Sequence, residues 1–168
     1  MFRAFEDFLV GSRFLSSSYT ISAEAITRFA REFDPQPFHC DPSAASQTQF
    51  GGLIASGWQT AAVSMRLFVE TMNVGGEIIG LAADELRWLK AVRPGDSLRV
   101  EIEIIEARLS ESRPGYGIIR YRSVTRNQQD ETVQSFVAAA MVPARANRKS
   151  EIENSLGGEG FEPPTNTV

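Results

Sequence analysis

The fold depends first on residues 57–72, which read GWQTAAVSMRLFVETM. Apolar side chains cover most of the circumference of this predicted helix, and Ser56 stands before it as an N-cap. The polar residues form only a narrow stripe, made of Gln59, Arg66, Glu70 and Asn73. A helix that is apolar nearly all round is a buried helix, so in a chain of 168 residues another layer has to wrap around it.

Strands that follow this helix supply the second layer. Residues 97–104 alternate apolar and polar side chains, which is typical of a half-buried strand. Turn residues, such as those at 93–96, separate neighbouring segments. We therefore expect four antiparallel strands that complete a meander, over residues 78–92, 97–104, 116–126 and 131–142. One curved antiparallel sheet around one long buried helix is the hot-dog arrangement, so the sequence predicts a single α+β hot-dog domain.

The segment before the central helix mixes regular and irregular structure. A short strand near 13–20 precedes an amphipathic helix over 23–33. Residues 34–42, DPQPFHCDP, contain three prolines in nine positions and predict a stiff loop without a helix. Asp41 then acts as the N-cap of a short helix over 42–48.

Composition excludes several classes of protein. The net charge is −4 and the 17 Lys and Arg residues are scattered, so we expect no nucleic-acid partner. A single cysteine excludes an internal disulfide framework and fits a reducing compartment. The N-terminus does not resemble a signal peptide, and no apolar stretch approaches the roughly 18–20 residues of a membrane helix. A cytoplasmic protein without a membrane partner is the expectation.

Domain organisation follows from a change in composition near residue 144. Residues 1–143 predict the hot-dog domain, whereas residues 144–168 are polar, contain paired glycines and prolines, and show no periodicity. We expect a disordered tail there. Unpaired sheet edges and an uncovered face favour a homodimer or a higher homo-oligomer.

Two side chains on the proline-rich loop are candidates for proton-transfer chemistry. Asp34 and His39 lie five residues apart, and His39 is the only histidine. A carboxylate and an imidazole can hold one water between them and move protons near neutral pH. Taken alone, Asp34 is also compatible with a turn residue that ends a helix, and His39 with a surface histidine or a satisfied core histidine. A metal site is not expected, because the adjacent residues 39–41 diverge and no second cluster exists.

The loop and the segments after it resemble the MaoC-like family of (R)-specific enoyl-CoA hydratases. That family has the motif D-x-N-P-(aliphatic)-H-x-(D/E), which stands here as DPQPFHCD over residues 34–41. A glycine-containing segment opens the central helix, here FGGLIASG over 50–57. The stretch LRWLKAVRPGDSLRVEIEI over 86–104 resembles the strand-turn-strand that follows the helix in the family. The resemblance covers about residues 10–142.

The resemblance implies a hydratase or dehydratase that acts on a 2-enoyl or 3-hydroxyacyl thioester of the coenzyme A type. Asp34 and His39 would be the catalytic pair, with Asp34 as the main base for water and His39 sharing the proton transfer. Free N–H groups around Gly57, at the start of the central helix, would form the oxyanion hole for the thioester oxygen. No cofactor is implied.

The same resemblance assigns four residues to substrate binding: Gln36, Phe38, Ser56 and Trp58. The first three depart from the family, which has asparagine, an aliphatic residue and, in many members, histidine at those positions. Some members also use a serine inside the central helix. That position is Met65 here, and the adjacent Ser64 is expected to point elsewhere on the helix.

Two other functions remain open from the sequence. Thioesterases on the same fold also use a carboxylate and a helix-terminal oxyanion hole, so the fold does not exclude that activity. A non-catalytic acyl-thioester binding or scaffold subunit is the other alternative. The unusual residues Gln36, Phe38 and Trp58 keep it open.

Overall fold

The computed structural model describes residues 2–145, in which one long helix lies against one antiparallel sheet. The helices are α1 (Ala23–Phe33), α2 (Pro37–Cys40), α3 (Pro42–Ser46) and α4 (Gly57–Met72). The strands are β1 (Arg13–Leu15), β2 (Tyr19–Thr20), β3 (Ile79–Trp88), β4 (Ser97–Leu109), β5 (Tyr116–Arg126) and β6 (Thr132–Pro143). A short 3-10 turn, Phe5–Asp7, precedes β1. The α+β class predicted from the sequence is confirmed.

The order of the strands corrects the predicted meander. The strands β4, β5 and β6 follow one another in the sheet, but β3 pairs with β6 and not with β4, so the order is β1-β4-β5-β6-β3. The segment after β3 does not turn back on it, because Val92 passes the start of α4 and accepts a hydrogen bond from Ala55 N at 2.8 Å. Alternating polarity locates strands along the chain but does not identify their partners.

The proline-rich loop also differs from the prediction, because α2 forms one helical turn within it. Gln36 precedes this turn with extended backbone angles, and Pro37 is its first residue. A proline is tolerated at the first helical position, where its missing N–H has no partner within the helix anyway. This turn places His39 on the inner side of the segment, where it is buried.

The strand predicted near 13–20 is divided into β1 and β2. Both pair with β4, and the break between them falls at residues 16–18. Ser16 keeps the two pieces attached to β4, because its side-chain oxygen accepts a hydrogen bond from Val100 N at 2.8 Å.

Helix α4 buries the face that meets the sheet and α1. Its buried residues are Gln59, Thr60, Val63, Ser64, Leu67, Phe68 and Met72. Gln59 was expected in the exposed polar stripe, but it lies inside because its side-chain amide donates to Ala25 O at 2.9 Å. Met65 and Val69 on the other face are 47% and 50% exposed in the single chain.

The predicted tail begins at residue 144, and the structure describes only its first two residues. Ala144 N donates to Gly115 O at 2.8 Å, and Arg145 forms an ion pair with Asp7, so both residues contact the domain. The rest of the predicted tail lies outside the described residues, and its disorder stays a prediction. Within residues 2–145, no helix has the length and apolar character needed to cross a bilayer.

Candidate active site

Asp34 lies at the C-terminal end of α1, where Pro35 prevents the helix from continuing. Its Oδ2 accepts a hydrogen bond from the Ser56 hydroxyl at 2.6 Å, and its Oδ1 accepts one from the Gln36 amide at 2.8 Å. The Ser56 bond is the main reason why the pKa of the Asp34 carboxyl lies below its ordinary value, with Gln36 and His39 adding to the effect against the opposing influence of burial. Asp34 is therefore held as a carboxylate at neutral pH.

His39 reaches the same point from α2. Its side chain is 4% exposed, and its Nδ1 lies 2.8 Å from the carbonyl oxygen of Ile54. A carbonyl oxygen only accepts, so Nδ1 carries a proton and the neutral ring has its free lone pair on Nε2. That Nε2 lies 3.4 Å from Asp34 Oδ2. The structure thus brings the two predicted catalytic residues together, with the basic atom of the imidazole facing the carboxylate.

Ser56 and Gly57 place the start of α4 beside this pair. The Ser56 hydroxyl caps the helix by accepting from Trp58 N at 3.2 Å, while it donates to Asp34. The Gly57 N–H is in the first turn, where no earlier helical carbonyl is available, and it donates no hydrogen bond to any residue of 2–145. An unpaired N–H at a helix N-terminus attracts a partial negative charge.

These groups open into a cleft of about 510 Å³. Six of the seven residues predicted from the sequence line it: Asp34, Gln36, Phe38, His39, Gly57 and Trp58. Ser56 does not, because it is fully buried behind Asp34. Ser64 also stays outside the cleft and faces the sheet, as expected.

The cleft has aromatic walls that the sequence reasoning found only in part. Phe38 packs against Phe50, with ring centroids 5.2 Å apart, and Trp58 meets Trp88 edge to face at 5.1 Å. Trp88 and Phe50 were not predicted as site residues. The only sequence signal for Trp88 is its place in the segment LRWLKAV, which also contributes Lys90 to the lining.

No group of three or more metal-ligating side chains occurs within the described range. The cleft contains an ionised carboxylate, an imidazole and a backbone N–H donor. Such a set can bind water, move a proton and stabilise a developing oxyanion.

A model of the MaoC-like domain matches residues 9–127. The chain belongs to the MaoC-like dehydratase family. Among its relatives, the uncharacterized protein YdeM of Bacillus subtilis is 36% identical over 129 residues, which span 76% of this chain and 90% of that protein.

Solved structures of other proteins share the fold of this MaoC-like chain. The MaoC-like dehydratase from Rhodospirillum rubrum is 46% identical, with a TM-score of 0.79 over 85% of this chain and 98% of that one. The R-hydratase PhaJ1 from Pseudomonas aeruginosa is 24% identical, with a TM-score of 0.71 over 98% of this chain and 96% of that one. These likenesses confirm the hot-dog fold predicted from the sequence.

Proposed function

We propose that this MaoC-like protein adds water to a 2-enoyl thioester, or removes it from the corresponding 3-hydroxyacyl thioester, of the coenzyme A type. The observation that best supports this reaction is the distance of 3.4 Å between Asp34 Oδ2 and His39 Nε2, in a cleft that is also lined by Gly57 with its free N–H. Hydration of a conjugated thioester needs a polarised water, a proton for C2 and a donor for the enolate oxygen. The three groups match these needs one by one.

In the proposed hydration, His39 Nε2 takes a proton from a water that also donates to Asp34. The water oxygen bonds to C3, and the electrons of the C2–C3 double bond move onto the thioester oxygen. The Gly57 N–H stabilises this oxyanion. The protonated imidazole then returns its proton to C2 as the carbonyl re-forms, so that one hydrogen and one hydroxyl have been added. Dehydration is the reverse of these steps.

This division of roles differs from the expectation that Asp34 is the main base. A carboxylate whose pKa is lowered by Ser56 is a weaker proton acceptor than an ordinary one. Nε2 of His39, in contrast, has its lone pair free because Nδ1 is bonded to Ile54 O. In our proposal Asp34 orients the water and stabilises the imidazolium that forms during the reaction.

We further propose that the working molecule is a homodimer. Strand β3 is at one end of the strand order, and all of its residues except Ile79 and Leu86 are exposed. An edge strand of this length presents unpaired backbone groups to a second chain. Pairing along it would also cover apolar side chains such as Leu81, which is 47% exposed.

The test is a panel of 2-enoyl-CoA esters with short, branched and aromatic acyl groups, followed by the loss of the conjugated-enoyl absorbance. We expect turnover of at least one ester by the wild type, and a loss of about 10²- to 10⁴-fold in the Asp34→Asn variant. The matched control is Asp41→Asn, because Asp41 caps α3 outside the cleft and asparagine caps equally well.

The outcomes separate this proposal from the other two functions. Turnover that disappears in Asp34→Asn and persists in Asp41→Asn supports the hydratase. Release of free thiol from a saturated acyl-CoA, with no change in enoyl absorbance, would replace it by a thioesterase. Binding of the esters without either reaction would identify a binding subunit instead.

A further inference from the structure

A buried row of polar side chains connects the sheet to α4 behind the cleft. Thr125 of β5, Gln134 of β6 and Trp88 of β3 are directly opposite one another in neighbouring strands, so their side chains lie on the same face of the sheet. Ser64 of α4 meets this row. Ser64, Thr125 and Gln134 are each 0% exposed, although none of them touches the cleft. A fully buried polar cluster is maintained only when its hydrogen bonds are satisfied.

The hydrogen bonds of this row have one consistent direction. The Ser64 hydroxyl donates to Thr60 O at 2.8 Å, which leaves its oxygen to accept from Thr125 at 2.7 Å and from the Gln134 amide at 3.1 Å. The amide group of Gln134 therefore has its nitrogen towards Ser64 and its oxygen towards the indole N–H of Trp88, at 3.0 Å. The opposite amide orientation would set two donors against each other.

The row ends on the residue assigned to the oxyanion hole. The indole N–H of Trp88 is shared between Gln134 Oε1 and the Gly57 carbonyl oxygen, which is 2.8 Å away. The indole ring also covers the Gly57 Cα so closely that an added Cβ would lie 2.5 Å from the Trp88 Cε2 atom. Trp88 thus holds the first residue of α4 by a hydrogen bond and by direct packing.

A local distortion of β3 brings Trp88 into this row. Between Asp84 and Arg87 the strand contains one residue more than β6 does, and Glu85 takes a φ of +54°. A positive φ is uncommon outside glycine and costs free energy, so it persists only where the surrounding structure imposes it. If the pairing continued regularly after Asp84, without the bulge, Arg87 would oppose Gln134 in place of Trp88. A shift of one residue would also turn the Trp88 side chain to the other face of the sheet.

We propose that Gln134 and Trp88 are positioning residues that direct the Gly57 N–H into the cleft. This inference rests on the proposed function, in which that N–H stabilises the enolate oxygen. Gln134 acts from outside the cleft, through Trp88, and touches no reacting atom. Its role is to fix the indole ring, which in turn fixes the peptide groups on both sides of Gly57.

The clean variant is Gln134→Met, because methionine has a similar length, has no donor for Ser64 and offers Trp88 only a weakly accepting thioether in place of the amide oxygen. We expect kcat to fall by about 10- to 100-fold, the range for a displaced catalytic group, while KM changes less than about threefold. The matched control is Ser123→Ala, which removes a hydroxyl from β5 that is also 0% exposed and has no hydrogen-bond partner among residues 2–145. It should leave kcat unchanged.

A second measurement does not depend on turnover. In protein labelled with ¹⁵N-glycine, which contains only 13 glycines, the Gly57 amide signal should shift when butyryl-CoA, a saturated probe, is added. The shift should be lost in Gln134→Met and kept in Ser123→Ala. If Gln134→Met does not fold, Trp88→Phe replaces it, since phenylalanine keeps an aromatic side chain at this position and removes the N–H donor together with the five-membered ring that packs on Gly57.

The two failures can be told apart. If the wild type hydrates no enoyl-CoA but its Gly57 amide responds to butyryl-CoA and the response is lost in the variant, the reaction is wrong and the positioning role stands. If a folded Gln134→Met variant keeps the wild-type kcat or the wild-type Gly57 response, the positioning role is wrong whatever the reaction. The same conclusion follows if the wild-type Gly57 amide does not respond at all, or if Ser123→Ala loses as much activity.

Discussion

Asp34 shows how a single hydroxyl can lower the pKa of a carboxyl group in a candidate active site. Its Oδ2 is shared between Ser56, at 2.6 Å, and the imidazole of His39, at 3.4 Å. The shorter contact is the main cause of the lowered pKa of the carboxyl. Ser56 therefore has two functions at once, because it caps α4 and lowers the pKa of the Asp34 carboxyl.

The Ser56→Ala variant should differ from the wild type in two measurable quantities, the pKa of Asp34 and the free energy of unfolding. Loss of the hydroxyl should move the pKa of Asp34 up towards its ordinary value, as followed by ¹³C titration of the carboxyl. Loss of the N-cap should lower the free energy of unfolding by about 1 kcal/mol. The control is Ser22→Ala, because Ser22 caps α1 by accepting from Ala25 N and does not contact Asp34. An upward shift of the Asp34 pKa in both variants would contradict the assignment.

The charge of Asp34 also predicts a pH dependence of stability. The folded-state pKa is lower than the unfolded one, so the ionised carboxyl stabilises the fold fully above its ordinary pKa of 3.8. That contribution is lost as the pH falls from there through the lowered value. In urea unfolding between about pH 3 and 7, the stability of the wild type relative to Asp34→Asn should therefore decline towards the acid end. A difference that is constant or grows in acid would refute the lowered pKa.

The sequence predicted those contacts of the site that join residues close together along the chain. Asp34 and His39 are only five positions apart, so one loop is enough to bring them together. Trp88 is 31 residues beyond Gly57 and reaches it only through the pairing of β3 with β6. No local pattern reports a contact of that kind, and so it was missed.

At the scale of elements, two glycine-to-alanine substitutions can test the contact between α4 and β3. Gly57→Ala should force the Trp88 ring away, because the new methyl group would meet it at 2.5 Å. We expect the free energy of unfolding to fall by about 1–3 kcal/mol, as in other overpacked sites, and turnover to fall with it. Calorimetry and the enoyl-CoA assay measure the two effects.

The matched control is Gly80→Ala on β3, where an added Cβ meets nothing within 4 Å and φ is not positive. Gly80→Ala should change neither stability nor turnover. Equal effects of the two substitutions would mean that the indole ring is free to move aside, and that α4 does not depend on its contact with β3.

The elements predicted correctly are those whose signals are local. Helix α1 has a capping serine, an amphipathic pattern and a proline beyond its end, and the predicted range 23–33 matches the structure. The range 116–126 of β5 is also correct. The turn α2 was missed because proline content was taken to exclude any helix. A first-position proline is compatible with one turn, and that turn buries His39.

At the scale of the whole molecule, strand β3 forms an exposed edge of the sheet. Among residues 2–145, the only strand that pairs with β3 is β6. The residues of β3 are almost all exposed, while β4, β5 and β6 are internal to the strand order. Met65 and Val69 on α4 are exposed as well. An uncovered edge strand together with uncovered apolar side chains is the usual form of a surface between two copies of a chain.

A charge on this edge should therefore weaken the proposed dimer. We expect Leu81→Arg to move the mass measured by light scattering from that of two chains towards that of one at low micromolar protein, because the arginines would disfavour edge pairing and remove apolar contact. Leu109→Arg is the control, since Leu109 on β4 is also exposed, at 66% against 47% for Leu81, and lies away from the β3 edge. A wild type with the mass of one chain, or an equal shift in both variants, would contradict the interface. A lower mass in Leu81→Arg alone would mean that two copies of the chain associate through the β3 edge that does not pair with β6.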